Sequence, residues 1–285
     1  MGRERDGSYE VGATECGVSE LVRARYGAFA RDGGSTFGCC AGAAPAGYAT
    51  EAGLYGADQL AALPAPAVAL SRGCGNPVGF AELSLGETVV DLGCGGGIDV
   101  ILAAIRVGPT GKVIGIDFAA EMIDAARATV ATAGLAERVE LRVADLAATG
   151  LPDHCADVVI SNCVVNLCPD KTAAYREAFR LLRPGGRLAI SDVLVHQPLP
   201  AEVTAHLQED WSGCVGGALP TADYLAILAN VGFHIVEVDR HDLTQQELGE
   251  MAGCPGPDYA PAPAQGDLAA AAGQVYSLKF SARKV

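Results

Sequence analysis

Thr88-Val-Val-Asp91-Leu-Gly93-Cys-Gly95-Gly-Gly97 is the stretch on which the fold turns. A β-branched apolar run ends in an acid, glycines alternate through a tight turn, and Ile98–Arg106 continues with helical periodicity. Glycines there let the backbone approach a ligand closely, and the following helix N-terminus favours an anionic group. Downstream the same alternation repeats. Lys112–Asp117, Val139–Val143, Asp157–Ser161 and Arg187–Asp192 read as further strands, with helical stretches at Ala120–Ala133 and Thr172–Leu182. Repeated β-α-β implies a mainly parallel, twisted sheet with helices on both faces, an α/β fold. Phe233–Val238 and Val275–Phe280 are two more strand candidates.

Upstream of the turn, residues 1–18 are expected to be disordered, and a short helix is expected over Val18–Phe29. Gly33–Tyr48 is rich in Gly, Ala and Ser, carries Cys39 and Cys40, and reads as a mobile loop. A helical turn is expected over Ala57–Ala62. The resulting organisation is a disordered segment 1–18, a lead-in 19–82, a nucleotide-binding domain 83–195 and a small α+β substrate-side region 196–285.

The chain has 285 residues, half of them hydrophobic, and a formal charge of -14. That charge argues against a nucleic-acid partner, because phosphate is neutralised by basic patches and no Lys/Arg stripe is present. Met1–Glu20 has no apolar signal core, and no apolar run reaches the roughly 18 residues that span a bilayer. A cytoplasmic protein with no membrane partner is the expectation, and in that compartment thiols stay reduced. The ten cysteines then read as metal-binding or catalytic rather than as a disulfide framework. Packing as small buried hydrophobes is the plain alternative for any one of them.

Three acids sharpen the glycine turn. Asp91 precedes it, Asp117 ends the second strand ahead of Phe118, and Asp145-Leu146 follows the third strand. This series resembles the class I S-adenosylmethionine-dependent methyltransferases, with their Rossmann-like fold. The resemblance implies that Gly93, Gly95 and Gly97 lie against the methionine moiety, with Asp91 near its amino group. It further implies that Asp117 accepts from the ribose hydroxyls, that Asp145 and Leu146 flank adenine, and that Phe118 and Asn162 join the cofactor site. A dinucleotide-binding dehydrogenase uses a similar turn and acid, but Asp91, Asp145 and the Arg183-Pro-Gly-Gly-Arg187 turn fit methyl transfer better.

Cys163, in Ser161-Asn162-Cys163-Val-Val-Asn166-Leu167, falls just past the fourth strand, at the sheet edge where α/β proteins bind ligands. Cys74 lies in Gly73-Cys74-Gly75-Asn76-Pro77, and Cys214 in Trp211-Ser-Gly-Cys214-Val-Gly-Gly. No Cys-x₂₋₄-Cys knuckle is present, which argues against structural zinc. Soft thiolates suit a thiophilic centre, and trivalent arsenic takes three sulfurs while keeping a lone pair.

With Arg25-Tyr26-Gly27, Pro169-Asp170-Lys171 and Leu199-Pro200 added, the chain resembles the arsenite S-adenosylmethionine methyltransferase family from about residue 20 onward. The resemblance implies that Cys163 and Cys214 bind As(III) first, and that Cys74 completes the site. Cys39 or Cys40 would then form a disulfide with Cys74, reset by thioredoxin or glutathione in a monomeric enzyme. Two cysteines in the early loop, where the family has one, leave open which of them acts. Arg72 stands where eukaryotic members carry an aromatic residue, and Cys94 and Cys168 read as incidental. Asp192 is either a ligand or a cap. A methyltransferase of another small molecule or organoarsenical, and a non-catalytic arsenic-binding thiol protein, are the competing readings.

Overall fold

Seven strands build one sheet: β1 (Thr88–Leu92), β2 (Lys112–Asp117), β3 (Val139–Val143), β4 (Ala156–Asn162), β5 (Leu182–Val195), β6 (Phe233–Asp242) and β7 (Val275–Lys284). The computed structural model describes residues 15–34, 54–199, 215–244, 248, 271 and 273–285. Strand order is β3-β2-β1-β4-β5-β7-β6, with β7 antiparallel to both of its neighbours and every other pair parallel. Central strands covered on both faces need continuous apolar runs, and Val89-Val90, Val113-Ile114 and Val158-Val159-Ile160 supply them, all buried.

The helices are α1 (Glu15–Arg31), α2 (Ile98–Val107), α3 (Ala120–Thr132), α4 (Lys171–Leu181) and α5 (Thr221–Val231), with short turns at Ala57–Ala61, Ala65–Ala69 and Pro77–Phe80. On one face of the sheet α2 and α3 pack over Val89, Val113 and Ile160. On the other, α4 and α5 cover Val90, Val159 and Ile190 through Tyr175, Leu181, Tyr224 and Leu228. Val18, Val22, Arg25 and Phe29 make a buried stripe along α1 at helical spacing. Phe29 docks it against Ala119 and Met122 beside α3.

Several boundaries move. Of the segment expected to be disordered, residues 15–18 form the first turn of α1, where Val18 starts the buried stripe; residues 1–14 lie outside the described residues. β5 begins at Leu182, because Leu182 pairs with Ala156 and Arg187 with Val158, and the Arg-Pro-Gly-Gly stretch bulges between those pairs. α5 was not expected: it buries only Tyr224 and Leu228, which leaves a thin periodic signal, and ends at left-handed Gly232. β6 and β7 extend to Asp242 and Lys284 and complete the same sheet, so the sheet runs through the expected boundary at 195/196. Nearly all of the expected mobile loop, including Cys39 and Cys40, lies outside the described residues. Among the described residues, no helix is long and apolar enough to cross a membrane.

Candidate active site

From β1 the chain moves outward to β2 and β3, then returns to place β4 on the other side of β1. That reversal opens a crevice at the carboxyl ends of β1 and β4, the general ligand position in open α/β sheets. The glycine turn after β1 and Cys163 after β4 face each other across it. A Cβ on Gly93 would lie 2.4 Å from the Val164 side chain, so only glycine lets the two loops meet.

The crevice holds an open cleft of about 580 Å³, solvent-facing mouth included, bounded by Arg72, Gly93–Gly96, Asp99, Asp117, Asn162 and Cys163. A second cleft is lined by Asp145, Leu146, Cys168 and Pro169. Both share Phe118, Val164 and Leu167, so together they form a trough along the sheet edge.

Acids dominate the deep end. Asp117 Oδ2 accepts from Gly95 N at 3.0 Å and its Oδ1 from Ala119 N at 2.9 Å; burial pushes its carboxyl up to about 6. Asp91 lies beneath the turn, not among the cleft's lining residues, and its buried Oδ2 has no hydrogen-bond donor among the described residues. Burial, then repulsion from Asp99 and Asp117, holds the Asp91 carboxyl well above the usual range. Asp99, in the first turn of α2, is also buried and pushed up to about 6; Tyr55 Oη donates to it at 3.0 Å. Asp145 is exposed, accepts from Ala147 N at 2.8 Å, and borders the second cleft beside buried Leu146.

Asn162 joins the acids to the thiols. Its Oδ1 accepts from Cys74 N (3.0 Å) and Gly75 N (3.1 Å), while its Nδ2 donates to Gly75 O (2.8 Å), Tyr55 Oη (3.0 Å) and Asp99 Oδ2 (3.0 Å). The Gly73-Cys74-Gly75 spacing follows from this clamp. A Cβ at Gly73 would come within 2.3 Å of Asn162 Nδ2, and one at Gly75 within 2.2 Å of Ser191 Oγ. Ser277 Oγ donates to Cys74 O at 2.9 Å, fixing the turn from β7.

Cys163 has φ +60, a left-handed conformation uncommon outside glycine, and its N–H donates to Ser191 O at 2.7 Å. Cys74 and Cys163 are both buried and belong to one cluster with Val193, Val195 and Val215. Val215 is the chain neighbour of Cys214; Cys214 itself, like Cys39 and Cys40, lies outside the described residues. Cys94 lines the cleft, where burial drives its thiol well above the ordinary range. Burial likewise pushes Cys168 up to about 12, so both stay protonated near neutrality. No group of three or more His, Cys, Asp and Glu suited to a metal ion occurs among the described residues.

Asp192 is no ligand of the cleft. It is fully buried, accepts from Tyr224 Oη at 3.0 Å, and is pushed up to about 7 by burial, with Lys171 opposing. Tyr55 and Asp99 are site residues that the sequence reading passed over. Tyr55 is remote in sequence, and an acid in a helix's first turn reads as an ordinary dipole partner.

Residues 83–252 match a family model described as a methyltransferase domain. The chain belongs to the methyltransferase-domain family. Among known proteins, this chain is 42% identical over 242 residues to an arsenite methyltransferase of Halobacterium salinarum, covering 81% of this chain and 61% of that protein. A human arsenite methyltransferase is 31% identical over 176 residues, 58% of this chain and 47% of the human protein. Among solved structures, an arsenic(III) S-adenosylmethionine methyltransferase from Chlamydomonas reinhardtii superposes with TM-score 0.61 at 29% identity, covering 80% of this chain and 72% of that one. The chain therefore spans about half to three fifths of the length of these curated relatives.

The trough fits S-adenosylmethionine, the methyl donor of the Chlamydomonas reinhardtii enzyme, on three counts. Asp91 Oδ2, buried beneath the glycine turn, is an acceptor without a donor among the described residues. Asp117 lines the cleft with a carboxylate, an acceptor type suited to a ribose diol. Leu146 and Phe118 give apolar walls for a flat base.

Proposed function

We propose that the protein transfers methyl groups from S-adenosylmethionine to trivalent arsenic held by cysteine thiolates. The observation that carries this reading is the shared buried cluster of Cys74 and Cys163 at the edge of the donor cleft, with the chain running directly from Cys214 into it at Val215. Two soft donors held in an apolar pocket favour a thiophilic atom over a hard cation. S-Adenosylmethionine, when bound, supplies an electrophilic methyl group on a sulfonium.

Cys74, Cys163 and Cys214 hold As(III) as a trithiolate, leaving its lone pair free to accept the methyl, so no general base is required. Asn162 keeps the Cys74 turn against the β4 end, and Asp117, Asp145 and Leu146 hold the nucleoside end of the donor. Methyl transfer to the lone pair raises arsenic to the pentavalent state. The thiolate of Cys39 or Cys40 then attacks the sulfur of Cys74, the arsenic–sulfur bond of Cys74 breaks, and its electron pair stays on arsenic, which returns to the trivalent state as the disulfide forms. Thioredoxin or glutathione then reduces that disulfide, in a monomeric cytoplasmic enzyme.

The test is incubation with S-adenosylmethionine, thiol reductant and arsenite, followed by chromatographic separation of arsenic species. Methylated arsenic from the wild type and none from Cys163→Ser, with S-adenosylhomocysteine binding retained, is the expected result. Methylation undiminished in Cys163→Ser removes the thiolate site. No methylated arsenic from a wild type that binds the cofactor directs the search to another substrate.

A further inference from the structure

Lys171 occupies a place that electrostatics disfavours. It is the first residue of α4, where the helix dipole repels a cation, and it is only 5% exposed. The helix start is capped without it, since Asp170 accepts from Ala173 N at 2.9 Å. A lysine in such a place is kept there by its hydrogen bonds.

Those bonds bring three segments together. Lys171 Nζ donates to Asn166 O at 3.1 Å and to Cys168 O at 3.2 Å, both in the loop that carries Cys163 off β4. Asn166 Nδ2 in turn donates to Val193 O on β5. The third segment is the turn from Val215 to Ala218. A Cβ on Gly217 would lie 2.0 Å from Asn166 O and 3.4 Å from Lys171 Nζ, so the backbone of that turn rests on the carbonyl that Lys171 holds. Past the turn, Leu219 O accepts from Val195 N at 3.1 Å, and Thr221 Oγ1 donates to Val195 O at 3.2 Å. The turn is therefore pinned to β5 at one end and to the Cys163 loop at the other. Val215 opens it, one residue after Cys214, and shares a buried cluster with Cys74 and Cys163. Lys171 itself is not among the residues lining either cleft.

We propose that Lys171 is a positioning residue of the thiol site. By holding the Asn166 carbonyl against Gly217, it sets the spacing between the Cys163 loop and the turn that opens at Val215, and with it the fit of a thiophilic atom. The inference rests on the thiolate reading above.

Calorimetric titration of the full-length protein with arsenite, and separately with S-adenosylhomocysteine, tests it. Lys171→Met nearly keeps the length of the side chain but has no donor. It is expected to weaken arsenite binding about tenfold or more, and to leave S-adenosylhomocysteine within about twofold. Gly217→Ala presses on the same carbonyl from the other side with Lys171 intact. It should reproduce that split, and it carries the test if Lys171→Met does not fold. Because both changes act at Asn166 O, the double variant should lose less than the product of the two single losses. Unchanged arsenite affinity in a folded variant would overturn the proposal. Equal losses for both ligands would do so too, by assigning Lys171 a general structural role. A wild type that binds S-adenosylhomocysteine but not arsenite would instead refute the thiolate reading, and the role of Lys171 would fall with it.

Discussion

Replacing Asn162 by leucine removes the side chain that ties the donor cleft to the thiol cluster, while nearly preserving volume. Asn162 makes five side-chain hydrogen bonds: to Cys74 N, Gly75 N, Gly75 O, Tyr55 Oη and Asp99 Oδ2. Tyr55 and Asp99 retain each other at 3.0 Å in the variant, so the loss falls on the three bonds to the Cys74 turn. At about 1 kcal/mol net for each, unfolding in urea should require about 3 kcal/mol less. Cys74 is 3% exposed in the native protein, and without the clamp its turn opens more often. Alkylation of Cys74, followed by mass spectrometry in native buffer, should therefore accelerate at least tenfold, on the order of what a 1.4 kcal/mol loss of local stability produces. Asn162→Asp is an informative companion. It keeps the acceptor for Cys74 N and Gly75 N but sets a carboxylate where Nδ2 stood, 3.0 Å from Asp99 Oδ2, and should be at least as destabilised. Stability within about 0.5 kcal/mol of wild type, with an unchanged Cys74 alkylation rate, would refute the clamp.

Gly75→Ala should lower the thermal midpoint, because the new Cβ falls 2.2 Å from Ser191 Oγ and 2.6 Å from its Cβ; overpacking of this kind costs about 1–3 kcal/mol, and adding Ser191→Gly should recover part of it. Cofactor affinity should depend on pH in one direction. Asp99 and Asp117 both have carboxyls raised to about 6, so they take up protons as pH falls through that value, and the cleft loses negative charge and acceptor capacity. Calorimetric S-adenosylhomocysteine binding should therefore strengthen from pH 5 to 7 and release protons near pH 6, and a flat profile over that range would contradict the assignment.

The nucleotide half of the protein was legible because its signals are local. The Asp91–Gly97 turn, the strands to Asp117 and Val143 and the helices between them each declare themselves within about ten residues of sequence, and they stand where the pattern put them. The order of the outer strands was less legible. Phe233–Val238 and Val275–Phe280 read as strands, but β7 entering the sheet antiparallel beside β5 is decided by packing far from its own sequence. Cys74 and Cys163 were recognisable by motif. What brings them into one cluster was not: Asn162 bonds across 88 residues to Cys74 and across 107 to Tyr55. Contacts of that separation leave no periodic trace. Asp99 illustrates the same limit, since its place in a helix's first turn conceals a buried carboxyl bonded to Tyr55 and Asn162.

The central claim is that the cysteine thiolates beside the donor cleft hold trivalent arsenic. X-ray absorption at the arsenic edge, on protein loaded with arsenite and S-adenosylhomocysteine, tests it directly. The account predicts a first shell of three sulfurs that loses one sulfur in Cys163→Ser and one in Cys74→Ser. An oxygen-dominated shell, or a sulfur shell indifferent to both substitutions, would contradict it.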